Sequence, residues 1–388
     1  MKQLLLIITC LSFSLGILAQ QSVLVQIEQN NTVLAALRKQ ADAEKIGNKT
    51  GIYLENPEVE FHYLWGNDSE TRTDWAASQS FDFPTAYYHK RKVSDSQNKQ
   101  VDLKYLIERK DILLEAQSVC IQLIYQNALS IELKKQYDLT LQVADAYETK
   151  YKTGDASVLD LNKAKFDLLN AQKDYNASMT EKEFLQSELV RLNGGNPIDF
   201  SFTEFPRILL PPDFEGWYAV QKDKNSQLRY YQQEVFLSKQ SEKLQRSMNL
   251  PKLSAGYMSE KVAAAEHFQG VTVGISIPLF ENKNTVKQIK AQTFANKELE
   301  IDASLRDYHQ SEALYKKVMN LQQILNDFKT YQLSDDTAVL LKKSLDAGEI
   351  SLIEFITELG IYYSLVKDML ETERDLNLTF TELMQWEL

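Results

Sequence analysis

Two kinds of hydrophobic pattern alternate along the chain. Neither glycine nor proline interrupts residues 85–153, and the same holds for residues 279–347. Within the first run Leu106, Leu113 and Cys120 recur at spacing seven beside Ile107, Leu114 and Ile121. Ile301, Tyr308 and Tyr315 occupy the positions of the latter three in the second run. Such spacing predicts helices of up to about 100 Å packed along their length. Lys110, Gln117 and Asn127 interrupt a second stripe, which predicts layers of helices with these polar residues on a wetted face. Each run ends at a glycine, Gly154 or Gly348, the residue type that supplies the left-handed stop of a helix. Asp155 or Ser157 can then cap a return helix. Amphipathic return helices are expected over about 157–192 and 351–386, so each run becomes a helical hairpin.

The other pattern has a period of two. In Glu58–Trp65 the residues Val59, Phe61, Tyr63 and Trp65 share one face, and in Gly270–Pro278 so do Val271, Val273, Ile275 and Ile277. Weaker strands are expected at Trp75–Phe83 and Leu253–Glu260. These strands come close to the 9–11 residues that cross a bilayer at a tilt. In lipid every backbone polar group must be paired, so four strands with two open edges would have to share a barrel with further copies. The alternative is a periplasmic coiled coil capped by two small soluble hairpins.

The chain is also written twice. A shift of 194 residues aligns Pro57 with Pro251, Pro84 with Pro278, Asn31 with Asn225, Tyr63 with Tyr257, Gly154 with Gly348 and Ser157 with Ser351, and it brings Asp160 onto Glu354. The other four prolines, Pro197, Pro206, Pro211 and Pro212, fall between the copies. The organisation expected is a signal peptide at 1–19, a first repeat at 20–195, a linker at 196–215 and a second repeat at 216–388. The signal peptide rests on Lys2, the apolar run Leu4–Leu18 and a small residue, Ala19, at the cleavage point.

Composition removes whole classes of function. With 43 basic and 54 acidic side chains in 388 residues, the net charge of −11 offers nucleic acid no overall attraction. Two cysteines, Cys10 and Cys120, make no disulfide framework. No grouping of nucleophile, base and acid, no phosphate-cradling glycine loop and no metal-ligand spacing is present, so neither an enzyme nor a cofactor is expected. His62, His89, His267 and His309 are read as strand or surface residues.

The segments Tyr151-Lys152-Thr153-Gly154-Asp155-Ala156-Ser157-Val158-Leu159-Asp160 and Gly270-Val271-Thr272-Val273-Gly274-Ile275-Ser276-Ile277-Pro278-Leu279-Phe280, taken with the tandem order of elements over residues 21–388, resemble the TolC family of outer-membrane efflux proteins. The resemblance implies a mainly α fold with membrane β-strands: tandem long helical hairpins plus four strands, pooled by a homotrimer into a twelve-stranded barrel and an α-helical periplasmic tunnel. It implies a passive exit duct in the outer membrane with a large periplasmic portion, exporting small molecules such as drugs or metal ions. Its partners would be a periplasmic adaptor protein, an inner-membrane pump and outer-membrane lipid. The outlet of a type I protein secretion system is the alternative within transport. Adaptor docking would fall on the helical tips, at Thr153, Gly154, Asp155, Ser157, Ala347, Gly348, Glu349 and Ser351. The tunnel constriction would fall at Glu354 and its repeat counterpart Asp160. A second acid three residues beyond Glu354, known in some members, is Thr357 here. The lipid-facing residues would be Val59, Phe61, Tyr63, Trp65, Val271, Val273, Ile275 and Ile277.

Overall fold

A computed structural model describes residues 22–66, 71–262, 266–330 and 337–388. The expected signal peptide and Cys10 lie outside the described residues. The elements in order are α1 (residues 22–30), α2 (Thr32–Gly47), β1 (Glu58–Trp65), β2 (Thr71–Phe81), α3 (Pro84–Thr153), α4 (Val158–Leu192), α5 (Phe214–Lys224), α6 (Ser226–Met248), β3 (Lys252–Val262), β4 (Glu266–Ser276), α7 (Thr285–Thr330), α8 (Thr337–Asp346) and α9 (Leu352–Leu383). At 70 residues α3 is about 105 Å long. No described helix is long and apolar enough to cross a membrane.

The fold class expected from the sequence, long helical hairpins with four strands, is the one found. Its landmarks have local causes. Asn31 and Asn225 align in the repeat because each caps a helix: the Asn31 side-chain oxygen accepts from the Leu34 amide at 2.9 Å, and that of Asn225 from the Gln227 and Leu228 amides at 2.8 and 3.0 Å. Pro84 opens α3, where a missing amide hydrogen costs nothing. Its counterpart Pro278 does not open a helix. The stretch 277–284 makes turns instead, with Asn284 at φ +69°, and α7 starts only at Thr285. The second long run is therefore shorter at its start than expected, and its residues 331–336 lie outside the described residues.

By contacts the chain divides into two units, each drawing on both halves of the sequence. One comprises Ala36–Glu108 and Asn225–Asp307. It holds all four strands, in an antiparallel sheet of order β1-β2-β3-β4. Its helical segments lie side by side in the same order. Arg38 of α2 donates to the Tyr105 hydroxyl of α3 at 2.6 Å, Gln233 of α6 to the Ser96 carbonyl of α3 at 2.8 Å, and Asn225 beside α6 to Asp307 of α7 at 2.7 Å.

The other unit, which includes residues 109–224 and 308–388, contains three apolar clusters. Val23, Ile27, Cys120, Leu123, Leu189 and Phe200 form one. Val143, Ala144 and Ala164 with Leu345, Leu352, Phe355 and Leu359 form another. Tyr315, Val318, Leu325 and Leu376 form the third, under Phe214 and Trp217. Burial holds the Cys120 thiol protonated, with its pKa pushed up to about 12.

The heptad expectation holds in this unit and fails in the other. Leu113, Cys120, Ile121 and Tyr315 are buried, whereas Leu106 and Ile301 are exposed. The polar interruptions are not wetted. Asn127 is buried and donates to the Phe202 carbonyl at 2.9 Å. Lys110 donates to the Gln385 side chain at 3.0 Å and lies 4.7 Å from the Trp386 ring centroid. The Gln117 side-chain oxygen is buried without a partner among the described residues. The stripe is where the linker and the C-terminal turn pack, and those segments approach from far along the chain.

Candidate functional site

The sheet sorts its side chains by parity. Pairing places Val59, Ala77, Tyr257 and Val271 in one row, and Phe61, Trp75, Ser259 and Gln269 in the next. On the other side of the first row come Gln79, Ala255 and Val273, then Phe81, Leu253 and Ile275. Four rows span about 20 Å along the strands, close to the ~25 Å apolar band of an outer-membrane barrel. Val59, Phe61, Tyr63 and Trp65 in β1 and Val271, Val273 and Ile275 in β4 are all exposed, up to 83% for Val271. Ile277, expected on this face, is exposed but lies one residue beyond the end of β4. Trp75 and Tyr257 pack ring against ring at 5.4 Å between centroids, and Tyr63 lies 6.0 Å from Trp65. Leaving so many large apolar side chains in water is unfavourable by roughly 1.5–3 kcal/mol each relative to burial.

The opposite face is mainly polar, with Leu64, Met258 and Phe268 as its large apolar residues. Glu58, Glu60 and His62 of β1 lie across from Ser78, Ala76 and Asp74. Arg72 donates to Glu260 at 2.8 Å and to Asp74 at 3.1 Å, holding two acids of neighbouring strands together. One face apolar and one polar is the arrangement a wall between lipid and water requires. Among the described residues the outer edges of β1 and β4 have no partner strand, so their outward backbone groups are unpaired by this sheet.

The helical turns are built by the same two devices. After α3 the Gly154 amide donates to the Tyr151 carbonyl at 3.1 Å and the Asp155 amide to the Lys150 carbonyl at 2.8 Å, with Gly154 at φ +84°. After α8 the Gly348 amide donates to Leu345 at 3.1 Å and the Glu349 amide to Ser344 at 2.9 Å, with Gly348 at φ +76°. This is the Schellman stop, which satisfies the last carbonyls of each helix. Thr153, Gly154, Asp155, Ser157, Ala347, Gly348, Glu349 and Ser351 are all exposed. Thr153 donates its hydroxyl to Asp155 at 2.7 Å, and Ser344 donates to Glu349 at 3.0 Å.

The two acids singled out by the sequence have a structural duty. Ser157 caps α4 by accepting from the Asp160 amide at 3.1 Å, and Asp160 reaches back to the Ser157 amide at 3.4 Å and its hydroxyl at 2.6 Å. Ser351 accepts from the Glu354 amide at 3.2 Å, and the Glu354 carboxylate accepts from the Ser351 amide at 2.7 Å. Both are complete capping boxes. The Ser351 amide, followed by its hydroxyl, holds the Glu354 carboxyl below its ordinary range. The Ser157 hydroxyl does the same for Asp160. Sequence reasoning overlooked this role although the signal, a serine three residues before an acid, was in plain view. It also overlooked Asp167, two turns beyond Asp160 on α4, whose carboxyl is pushed up to about 6 by burial. Its only sequence trace is the spacing of seven from Asp160. Among the described residues no cluster of His, Cys, Asp or Glu could hold a metal ion.

No family model matches the sequence, and no curated protein matches it either. The fold does have solved counterparts. The outer-membrane channel OprN superposes with a TM-score of 0.79 at 13% identity, covering 95% of this chain and 89% of that one. The CmeC outer membrane channel of Campylobacter jejuni gives 0.71 at 14% identity, over 95% and 85%. The outer membrane protein VceC of Vibrio cholerae gives 0.75 at 10% identity, over 94% and 96%. At such identities the likeness is one of fold: the chain is built as these outer-membrane proteins are.

Proposed function

We propose that the chain is the outer-membrane channel of a tripartite efflux system, a passive exit duct for small molecules with a large periplasmic portion. The observation that carries this reading is the four-stranded sheet with one exposed apolar face, one polar face and two unpaired edges, in a chain with the fold of outer-membrane channels. A soluble hairpin would leave that apolar face in water, whereas lipid covers it without cost. Edge pairing of β1 with β4 of a neighbouring copy would satisfy the open backbone groups, and three copies would give a twelve-stranded barrel. In this reading residues 20–195 and 216–388 are two copies of one unit joined by 196–215, left after removal of 1–19.

The channel carries out no chemistry of its own. Energy would come from an inner-membrane pump, reached through a periplasmic adaptor that docks on the exposed turns around Gly154 and Gly348. A ring of Glu354 carboxylates from three copies, with Asp160 nearby in sequence register, would favour cations at the constriction. Extraction of the outer-membrane fraction in mild detergent, followed by native mass spectrometry, tests the core of the proposal. A mass of three chains is expected, and a soluble monomer outside the membrane fraction would refute it. Divalent-cation block of conductance tests the constriction: Glu354→Gln should weaken it, and unchanged block would remove Glu354 from that role.

A further inference from the structure

The net charge of −11 hides a local reversal. At three of the four junctions where helices meet strands in the sheet-bearing unit, cations outnumber acids. Residues 82–99 hold Lys90, Arg91, Lys92 and Lys99 against Asp82 and Asp95, and residues 239–252 hold Lys239, Lys243, Arg246 and Lys252 against Glu242 alone. Beyond Glu281, Lys283 lies in the turn before α7, and Lys287 and Lys290 follow in its first turns at a spacing of three, the spacing of one helical face. Lys90 and Lys252 are engaged by the buried Asp82, at 2.8 and 3.8 Å, and Arg246 by Glu242 at 2.6 Å. Arg91, Lys92, Lys243, Lys283, Lys287 and Lys290 are exposed and form no ion pair among the described residues. At 1.5 Å per residue these side chains start within about 12 Å of the helix ends that adjoin the strands. A headgroup layer is roughly 5–8 Å deep, and the reach of a lysine or arginine widens the zone from which a charge can meet it.

The same junctions expose large apolar groups. Tyr53 stands between α2 and β1 with Lys49 just before it, and Leu250 stands between α6 and β3 just after Arg246. Tyr88 lies at the start of α3, with the Lys92 ammonium 5.7 Å from its ring centroid. Leu279 and Phe280, the latter 82% exposed, lie between β4 and Lys283 and follow Ile277 out of the apolar face of the sheet. Amphipathic rings at this depth are the mark of a membrane–water interface. Cations set immediately beyond such rings are placed where a leaflet's phosphates would lie.

We propose that this belt seats the head groups of anionic phospholipids in the periplasmic leaflet of the outer membrane. The inference rests on the membrane reading above and adds to it a lipid class and the residues that select it. The full-length protein, extracted in mild detergent at ~0.1 M salt, is titrated with phosphatidylglycerol or phosphatidylcholine, and retained lipid is counted by native mass spectrometry. Phosphatidylglycerol should be retained in preference. Arg91→Gln/Lys92→Gln/Lys287→Gln/Lys290→Gln should lower that preference on the order of 10-fold or more. At 1 M salt, where screening acts within ~3 Å, the preference should disappear. Should the fourfold variant fail to insert, its two halves are measured separately as double variants.

Equal retention of the two lipids by the wild type, or an unchanged preference in the variants, overturns the proposal. Displacement of phosphatidylglycerol by inorganic phosphate at matched concentration would mark a phosphate site and overturn the lipid assignment. Absence of the protein from the outer-membrane fraction would bring down the channel reading and the belt together. Presence there without a lipid preference would bring down the belt alone.

Discussion

The two helical turns share a skeleton and differ in what covers it. Gly154 and Gly348 stop their helices by the same pair of hydrogen bonds, and Ser157 and Ser351 start the next ones by the same capping box. Yet Val158, the first residue of α4, is 53% exposed, while its counterpart Leu352 in α9 is 4% exposed, beside Phe355 at 0%. The second hairpin sinks its first turn into a cluster with Leu345 and with Val143, Ala144 and Ala164 of α3 and α4. The first leaves Val158, Leu159, Phe166 and Leu169 uncovered. Backbone geometry at a turn is thus set by a few local residues, whereas burial is set by what the turn meets, and the two can diverge between turns of one design.

The contrast can be broken most directly by truncating its two ends. Leu352→Ala should lower the stability of the extracted protein by about 2–5 kcal/mol. Val158→Ala should stay within about 0.5 kcal/mol, both read from denaturant unfolding. An equal loss at Val158 would mean that a neighbouring copy covers it in the assembly. Next in size are the glycines. Valine at 154 or 348 meets no crowding but must adopt a positive φ, so each substitution should cost about 1–2 kcal/mol, and the two costs should match. A large inequality would show that one turn can rearrange. Ser157→Ala and Ser351→Ala should follow at about 1 kcal/mol each.

The smallest effects are in pH dependence. The Glu354 carboxyl is held low in the folded state, so its contribution to stability is present above the ordinary glutamate value of about 4.3 and lost as pH falls through the lower folded value. Glu354→Gln keeps a capping partner while removing this titration, so unfolding curves below pH ~4.3 should lose part of their acid slope. Glu354→Ala should lose the cap as well. Asp167 has the opposite sign. Its folded pKa of about 6 lies above the ordinary aspartate value, so its penalty appears as pH rises through that interval. Asp167→Asn should gain stability over wild type between pH ~4 and ~7. Its counterpart in the second hairpin is the apolar Ile361, and Ile361→Ala should show no such pH dependence.

Much of the fold was legible because its punctuation is local. Gly154 and Gly348 need only their own helix to act as stops, and Asn31 and Asn225 need only the next turn to act as caps. The alternation in Glu58–Trp65 likewise gives strand, face and exposure without reference to anything distant. What was not legible depends on partners. Nothing near Asn127 in the sequence announces that the linker carbonyl of Phe202 will meet it, and nothing near Lys110 announces Trp386. Leu106 and Leu113 look alike by period, but only Leu113 is buried. The late start of α7 was missed because Pro278 copies Pro84 in sequence and differs in the turn that follows, closed by Asn284 in the left-handed region. For the candidate site, parity placed the apolar face, whereas the resemblance assigns Asp160 and Glu354 to a constriction, and the spacing from glycine does not separate that role from the cap each one makes.

The ladder between β2 and β3 has a consequence for how the chain reaches its structure. Its residue pairs run from Arg72 opposite Val262 to Phe81 opposite Leu253, so each pair spans all of α3, α4, α5 and α6. The hairpins β1–β2 and β3–β4 close over short connections and can form early. The seam between them draws together segments of very high sequence separation, the contacts that slow folding most. Closing so long a loop in an open chain costs entropy that the ladder recovers only once it is formed. Helical hairpins that shorten the effective loop beforehand would make that closure cheaper. The sheet would then be completed last, after the α-helical framework has brought its two halves within reach.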